Sequence, residues 1–117
     1  MSKEEERYEY PKESEELLKK LEELANTMKD WERKPLVKVG RAIVELIKLP
    51  KRETSKRLEP ERLALHIRLE DSFKGIFVVE SGEFQDIVEA LKTKIVTEVA
   101  KALDAINRKK RVIEYGL

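Results

Sequence analysis

A chain of 117 residues is long enough to bury one hydrophobic core, and its lack of cysteine excludes disulfides and thiolate metal sites. Charged residues make up 42% of the sequence, yet the net charge of +1 gives no global basic field that would indicate nucleic acid. The Lys- and Glu-rich composition and the short apolar runs lead us to expect a single-domain, cytoplasmic protein of a thermophile, without a signal peptide or membrane span.

The first third of the chain is predicted to be a lead-in followed by a helix. Residues 1–12 are expected to be flexible, and Ser14 is a suitable N-cap for a helix over residues 14–33. Apolar residues at alternating spacings of four and three form one stripe: Leu17, Leu21, Leu24, Met28 and Trp31. We expect this stripe to pack in the core, with Trp31 buried or half-exposed at the helix end.

A second helix is predicted over residues 35–49. Pro35 is tolerated in the first turn of a helix, and apolar residues follow at helical spacing, namely Leu36, Val39, Ile43 and Leu46. Gly40 would cost such a helix about 1 kcal/mol relative to Ala, which a close helix crossing would explain. We therefore expect two tightly connected antiparallel helices.

Residues 50–62 are polar, contain two prolines and show no apolar period, so they predict a long loop. Positive charge is concentrated here, since residues 35–75 carry ten Lys and Arg against six Asp and Glu. Phosphate contacts are one interpretation of this loop, and an ordinary solvated surface is the other. Its candidate binding residues are Lys51, Arg52, Lys56 and Arg57.

Residues 63–79 predict a β-hairpin with a turn at 71–75, although a helix started by Pro60 is a rival interpretation. Strict alternation places four aliphatic residues on one face of the first strand: Leu63, Leu65, Ile67 and Leu69. The second strand does not alternate, because Phe77 and Val79 fall on the same face as His66 and Arg68. If this face is exposed, Phe77 provides a ring for base stacking and Arg68 a cation for phosphate. A helix on each side of so small a sheet would instead bury Phe77, and burial is the outcome we expect.

No pattern in the sequence indicates catalysis. His66 is the single histidine, so it cannot form a His–His metal site, and we expect it to be exposed and unpaired, or at most an accessory to binding. The P-loop, GxGxxG and GxSxG motifs do not occur. We therefore expect a protein that is not an enzyme and takes no metal or cofactor.

Residues 83–110 predict one long helix of about 40 Å at 1.5 Å per residue. A domain of this size has an expected radius of gyration of about 13 Å, too small to cover such a helix fully. We therefore expect a homodimer in which the surplus apolar surface pairs two subunits. The predicted interface residues are Phe84, Val88, Leu91, Ile95, Val99 and Ile106. A monomer in which the N-terminal helices wrap the long helix is the alternative.

The predicted fold is α+β, with two N-terminal helices, a small antiparallel hairpin and a long C-terminal helix. This order, with "DWERKP" ending a helix and "LALHIRL" and "GIFVV" forming a hairpin, resembles the ThermoDBP-type single-stranded DNA-binding proteins of hyperthermophilic archaea. The resemblance implies a non-enzymatic single-strand binder that assembles through helices. From the residues themselves, we expect binding of single-stranded DNA or RNA through the basic loop, Arg68, His66, Phe77 and Trp31. A helical assembly module without nucleic-acid binding is the alternative.

Overall fold

The computed structural model of the protein describes residues 5–7 and 13–108, and for residues 5–7 it describes the backbone only. These residues divide into two compact units, one up to Glu80 and one from Ser81. The described strands are β1 (Glu5–Arg7), β2 (Arg33–Val39), β3 (Ala42–Leu49), β4 (Arg52–Glu53), β5 (Leu58–Glu59), β6 (Arg62–Leu69) and β7 (Gly75–Val78). The described helices are α1 (Ser14–Thr27), α2 (Ser81–Lys92) and α3 (Lys94–Asn107).

The first unit is built on an antiparallel sheet with strand order β1-β2-β3-β6-β7. The strands β4 and β5 pair with each other as a separate small ribbon. The architecture is therefore α+β, but the predicted arrangement within that class is wrong. One helix lies between β1 and β2, and two helices follow the last strand. Most of the predicted lead-in lies outside the described residues, and its segment Glu5–Arg7 pairs with β2.

The helix predicted over residues 35–49 is a β-hairpin formed by β2 and β3. Val39 pairs with Ala42, so Gly40 and Arg41 form a two-residue turn. Gly40 has φ 58°, a conformation that glycine adopts at low cost and that hairpin turns require. Many of the apolar residues here are β-branched, which favours strands: Val37, Val39, Ile43, Val44 and Ile47.

Helix α1 packs on one face of this sheet, and its stripe ends earlier than predicted. Leu24 and Met28 form a buried cluster with Leu46 of β3. Partly buried leucines surround this cluster, namely Leu21, Leu36, Leu63 and Leu65. The helix ends at Thr27, so Trp31 lies beyond it and outside the predicted helical core.

Lys48 of β3 forms a hydrogen bond to the C-terminal end of α1. The N–H of Lys29 donates to Glu32 Oε1 at 2.9 Å, so it does not continue the helical hydrogen bonding. The carbonyl of Ala25 instead accepts a hydrogen bond from Lys48 Nζ. The Lys48 side chain is only 3% exposed, and Glu61 Oε1 lies 3.4 Å from its ammonium group. A buried cation therefore faces the negative end of the α1 dipole.

The hairpin predicted over residues 63–79 is present as β6 and β7, with the predicted division of faces. Leu65 pairs with Val78, and His66 pairs with Phe77. Gly75 lies opposite Arg68 at the start of β7. A β-carbon at Gly75 would collide with the carbonyl oxygen of Ile67 and lie 3.0 Å from His66 Nε2. The close approach of the two strands therefore requires glycine here.

The second unit consists of α2 and α3, and the single long helix predicted over 83–110 is wrong. Thr93 has an extended backbone with ψ 148°, which separates the two helices. Its hydroxyl donates to the carbonyl of Ala90 at 2.8 Å. No residue of α2 or α3 is buried. The predicted helix end at residue 110 lies outside the described residues.

Among the described helices, none has both the length and the apolar character needed to cross a membrane.

Candidate nucleic-acid interface

The face of the sheet opposite α1 carries the residues that the sequence singled out. Antiparallel register places one residue from each of four strands in a row across it: Pro35, Glu45, His66 and Phe77. A second row contains Arg33, Ile47 and Ala64, and a third contains Lys38, Ile43 and Arg68. We call this surface the open face. It brings together aromatic rings and cations from segments far apart in the sequence.

Two aromatic side chains on the open face are about half-exposed. Trp31 is 56% exposed and Phe77 46% exposed, and their ring centroids are 6.3 Å apart. The His66 ring lies against Phe77 at 4.9 Å. The expected burial of Phe77 and Val79 is therefore wrong, because α1 covers only the leucine face of the hairpin. The two rings remain accessible to a planar ligand.

Phe73 is a third ring, which the sequence-based site did not include. It lies in the turn between β6 and β7 and is 75% exposed. The guanidinium carbons of Arg33 and Arg68 lie 4.9 Å and 5.6 Å from its centroid, within cation–π range. A large aromatic residue in a turn of polar residues was the only signal in the sequence. Arg33 was also missing from the predicted site.

Beneath these rings, Glu45 holds the charged groups of the open face together. The carboxylate oxygen Oε2 accepts hydrogen bonds from His66 Nδ1 and Arg68 Nε, each at 2.8 Å. Arg33 NH1 lies 3.6 Å from the same oxygen. His66 is thus buried and paired with Glu45, so the expectation of an exposed, unpaired histidine is wrong. Its ring is 2% exposed and lies against Phe77.

The ionisation of Glu45 reflects two opposing effects. Burial of the carboxylate penalises its charged form and by itself would raise the pKa. The hydrogen bonds from Arg68 and His66, together with the charges of Arg68 and Arg33, outweigh that penalty and hold the pKa of Glu45 below its ordinary value. The glutamate is therefore a carboxylate at neutral pH, and it partly neutralises the two arginines.

An open groove of about 520 Å³ runs across this face. Trp31, Arg33 and Arg68 contribute to its walls, together with Pro35 and Lys38. Glu45 and Glu32 also line it. The groove therefore combines a large exposed ring with cationic walls and two carboxylates.

The predicted basic loop contains the ribbon of β4 and β5. Leu49 at the end of β3 pairs with Arg62 at the start of β6, so the ribbon extends from that end of the sheet. All four predicted phosphate-binding residues are exposed: Lys51, Arg52, Lys56 and Arg57. The N–H of Trp31 donates to the carbonyl of Lys48 at 2.7 Å, which places Trp31 near the same end.

The predicted interface residues lie on the two helices of the second unit. Leu91, Ile95, Val99 and Ile106 are exposed, whereas Phe84 and Val88 are half-buried. Ile95 is 69% exposed, a large fraction for an isoleucine. None of the described residues of the second unit buries this apolar surface.

The described residues contain no group of three or more His, Cys, Asp or Glu side chains placed to hold a metal ion. Comparisons of the chain with protein-family models, curated proteins and solved structures found no match.

Proposed function

We propose that the protein binds single-stranded nucleic acid on the open face, without catalysing a reaction. The observation that carries this proposal is the exposed pair of Trp31 and Phe77, with Arg33 and Arg68 beside it around Phe73. Exposed aromatic rings bordered by cations are the usual platform for unpaired bases.

The rings favour a single strand over a duplex for a physical reason. Stacking on an aromatic side chain contributes roughly 1–3 kcal/mol per base, but it requires a base whose face is free. In a duplex, neighbouring base pairs already occupy those faces. The three rings lie on one surface, so consecutive unpaired bases reach them in turn.

The basic ribbon supplies the phosphate contacts in this proposal. Lys51, Arg52, Lys56 and Arg57 are exposed and extend from the end of the sheet near Trp31. Each phosphate that they neutralise releases counterions, so binding should weaken steeply as salt increases. Glu59 offsets part of this charge, because its Oε1 lies 3.4 Å from Arg57 Nε.

The proposal is tested by fluorescence titration with labelled single-stranded and duplex oligonucleotides at two salt concentrations. Phe77→Ala should weaken single-strand binding roughly fivefold or more, since it removes one stacked base, while Leu18→Ala on the exposed side of α1 should not. Arg52→Ala should reduce the slope of affinity against salt by about one counterion. Absence of single-strand binding by the wild-type protein at low salt would exclude this function. If Phe77→Ala unfolds the domain, the ring is structural and the stacking role is wrong.

Assembly through α2 and α3 is the second part of the proposal. The described parts of these helices expose several large apolar side chains, and soluble monomers rarely leave large contiguous apolar patches in water. A homodimer paired through this surface would cover it and bring two binding faces into one particle. Assembly without nucleic-acid binding is the alternative function.

A thermophilic archaeal source and a cytoplasmic location belong to the same proposal, and they rest on composition and resemblance alone.

A further inference from the structure

The two carboxylates that line the groove differ in how much hydrogen-bonding capacity they retain. Glu32 uses both oxygens, since Oε1 accepts the N–H of Lys29 at 2.9 Å and Oε2 lies 3.2 Å from Lys34 Nζ. Glu45 is the more buried of the two, with a side chain that is 5% exposed. Its oxygens are not used equally.

Oxygen Oε2 of Glu45 carries nearly all of the contacts that the described residues make to this carboxylate. It accepts from His66 Nδ1 and Arg68 Nε, and Arg33 approaches the same atom. Oxygen Oε1 has one contact, to Arg68 NH2 at 3.4 Å, which is longer than an ordinary N–H···O hydrogen bond. A carboxylate oxygen of this kind accepts further N–H donors. The groove is therefore lined by a residue, Glu45, whose oxygen Oε1 can accept a further hydrogen bond.

We propose that Glu45 makes the binding face discriminate between bases, by accepting a hydrogen bond from the exocyclic amino group of a base in the groove. This inference rests on the proposed function, because it concerns the same face. Cytosine, adenine and guanine carry an amino group on an exposed edge, whereas thymine and uracil present carbonyl oxygens where cytosine has N4. A carboxylate attracts the amino group and repels the carbonyl oxygen. Trp31 lines the same groove, so the ring and the acceptor serve one base.

The test compares oligodeoxycytidine with oligodeoxyuridine of equal length, because their bases differ chiefly in the amino or oxo group at position 4. The wild-type protein should bind the cytidine oligomer about tenfold more tightly, which corresponds to about 1.4 kcal/mol for one charge-assisted hydrogen bond. Equal affinities, or tighter binding of the uridine oligomer, would overturn the role of Glu45 while leaving single-strand binding intact. If neither oligomer binds, the proposed function itself fails.

Two variants test whether Glu45 causes the difference in affinity between the two oligomers. Glu45→Gln should reduce the affinity ratio of the two oligomers toward one, because the amide can donate to the uracil carbonyl as well as accept. Glu22→Gln, at an exposed position on α1, should leave the ratio unchanged. A ratio that persists in a folded Glu45→Gln protein, checked by circular dichroism, contradicts the proposal. If Glu45→Gln does not fold, Glu45→Asp is the second variant: it keeps the charge but withdraws the carboxylate by one methylene group, so the ratio should fall, and an unchanged ratio overturns the role of Glu45.

Discussion

At Glu45, charged side chains from three strands meet on one face of the sheet. Arg33 comes from β2, while His66 and Arg68 come from β6. A buried carboxylate is costly unless it is paired, and here hydrogen bonds and cations together offset that cost. The cluster also holds Arg33 and Arg68 against Phe73. One residue thus links the stability of the fold to the geometry of the proposed binding face.

This pairing predicts a specific response to acid. The folded-state pKa of Glu45 lies below its ordinary value of 4.5, so its stabilising contribution is complete above that pH and is lost as pH falls through the folded value. A protonated glutamate resembles glutamine, so Glu45→Gln should be less stable than the wild type at neutral pH. The difference in melting temperature between the two proteins should shrink as the pH falls from roughly 5 to 3. A difference that stays constant over this range would contradict the assignment.

At the scale of elements, the sequence predicted strands well only where residue types alternate. β6 alternates cleanly between aliphatic residues on the face toward α1 and mostly polar residues on the other face, although Ala64 and His66 on that other face are buried. β3 does not alternate, because residues on both of its faces are buried from Glu45 to Leu49. Its apolar residues, which Glu45 and Lys48 interrupt, also matched a helical spacing, and this produced the wrong second helix. The spacing of apolar residues alone could not distinguish a helix from a strand here.

Local sequence patterns also predicted only part of the candidate site. Phe77 was found because it interrupts a local alternation. Glu45 was missed because a carboxylate usually lies at the surface and its partners are 21 and 23 residues away in the sequence. Thr93 was missed as a helix break because the apolar stripe continues on both sides of it. The contacts of Glu45 join distant strands, and no local pattern in the sequence records them.

The contact between β3 and α1 leads to a prediction about stability. Lys48→Met keeps a long apolar side chain but removes the ammonium group, so it leaves the carbonyl of Ala25 without its donor. We expect a loss of about 1–2 kcal/mol in the free energy of unfolding. Lys20→Met, at an exposed position on α1, is the matched control and should change stability little. Chemical denaturation measures both. Equal stability of the two variants would show that the buried lysine does not hold the helix end.

At the scale of the whole molecule, the exposed apolar residues of α2 and α3 predict a dimer. Light scattering after size exclusion should give a mass near twice the 13.7 kDa of the chain at micromolar concentration. A double substitution, Ile95→Asp with Val99→Asp, should shift the mass toward the monomer, because it places charges in the apolar surface. Lys101→Asp, at an exposed polar position of α3, should leave the mass unchanged. A monomeric wild-type protein would end this part of the proposal.

The backbone of Trp31 shows that the ring is held in place at some cost to the fold. Its φ of 66° lies in the left-handed region, which costs a residue with a side chain about 1–2 kcal/mol. Stability alone would favour glycine at this position, yet the chain carries its only tryptophan there. Trp31→Gly and Trp31→Ala both remove the ring, so the glycine variant should be the more stable by about 1 kcal/mol in thermal unfolding. The reverse order would show that the backbone is relaxed. Stability does not explain a tryptophan at a strained position, whereas the proposed stacking role gives a reason for it.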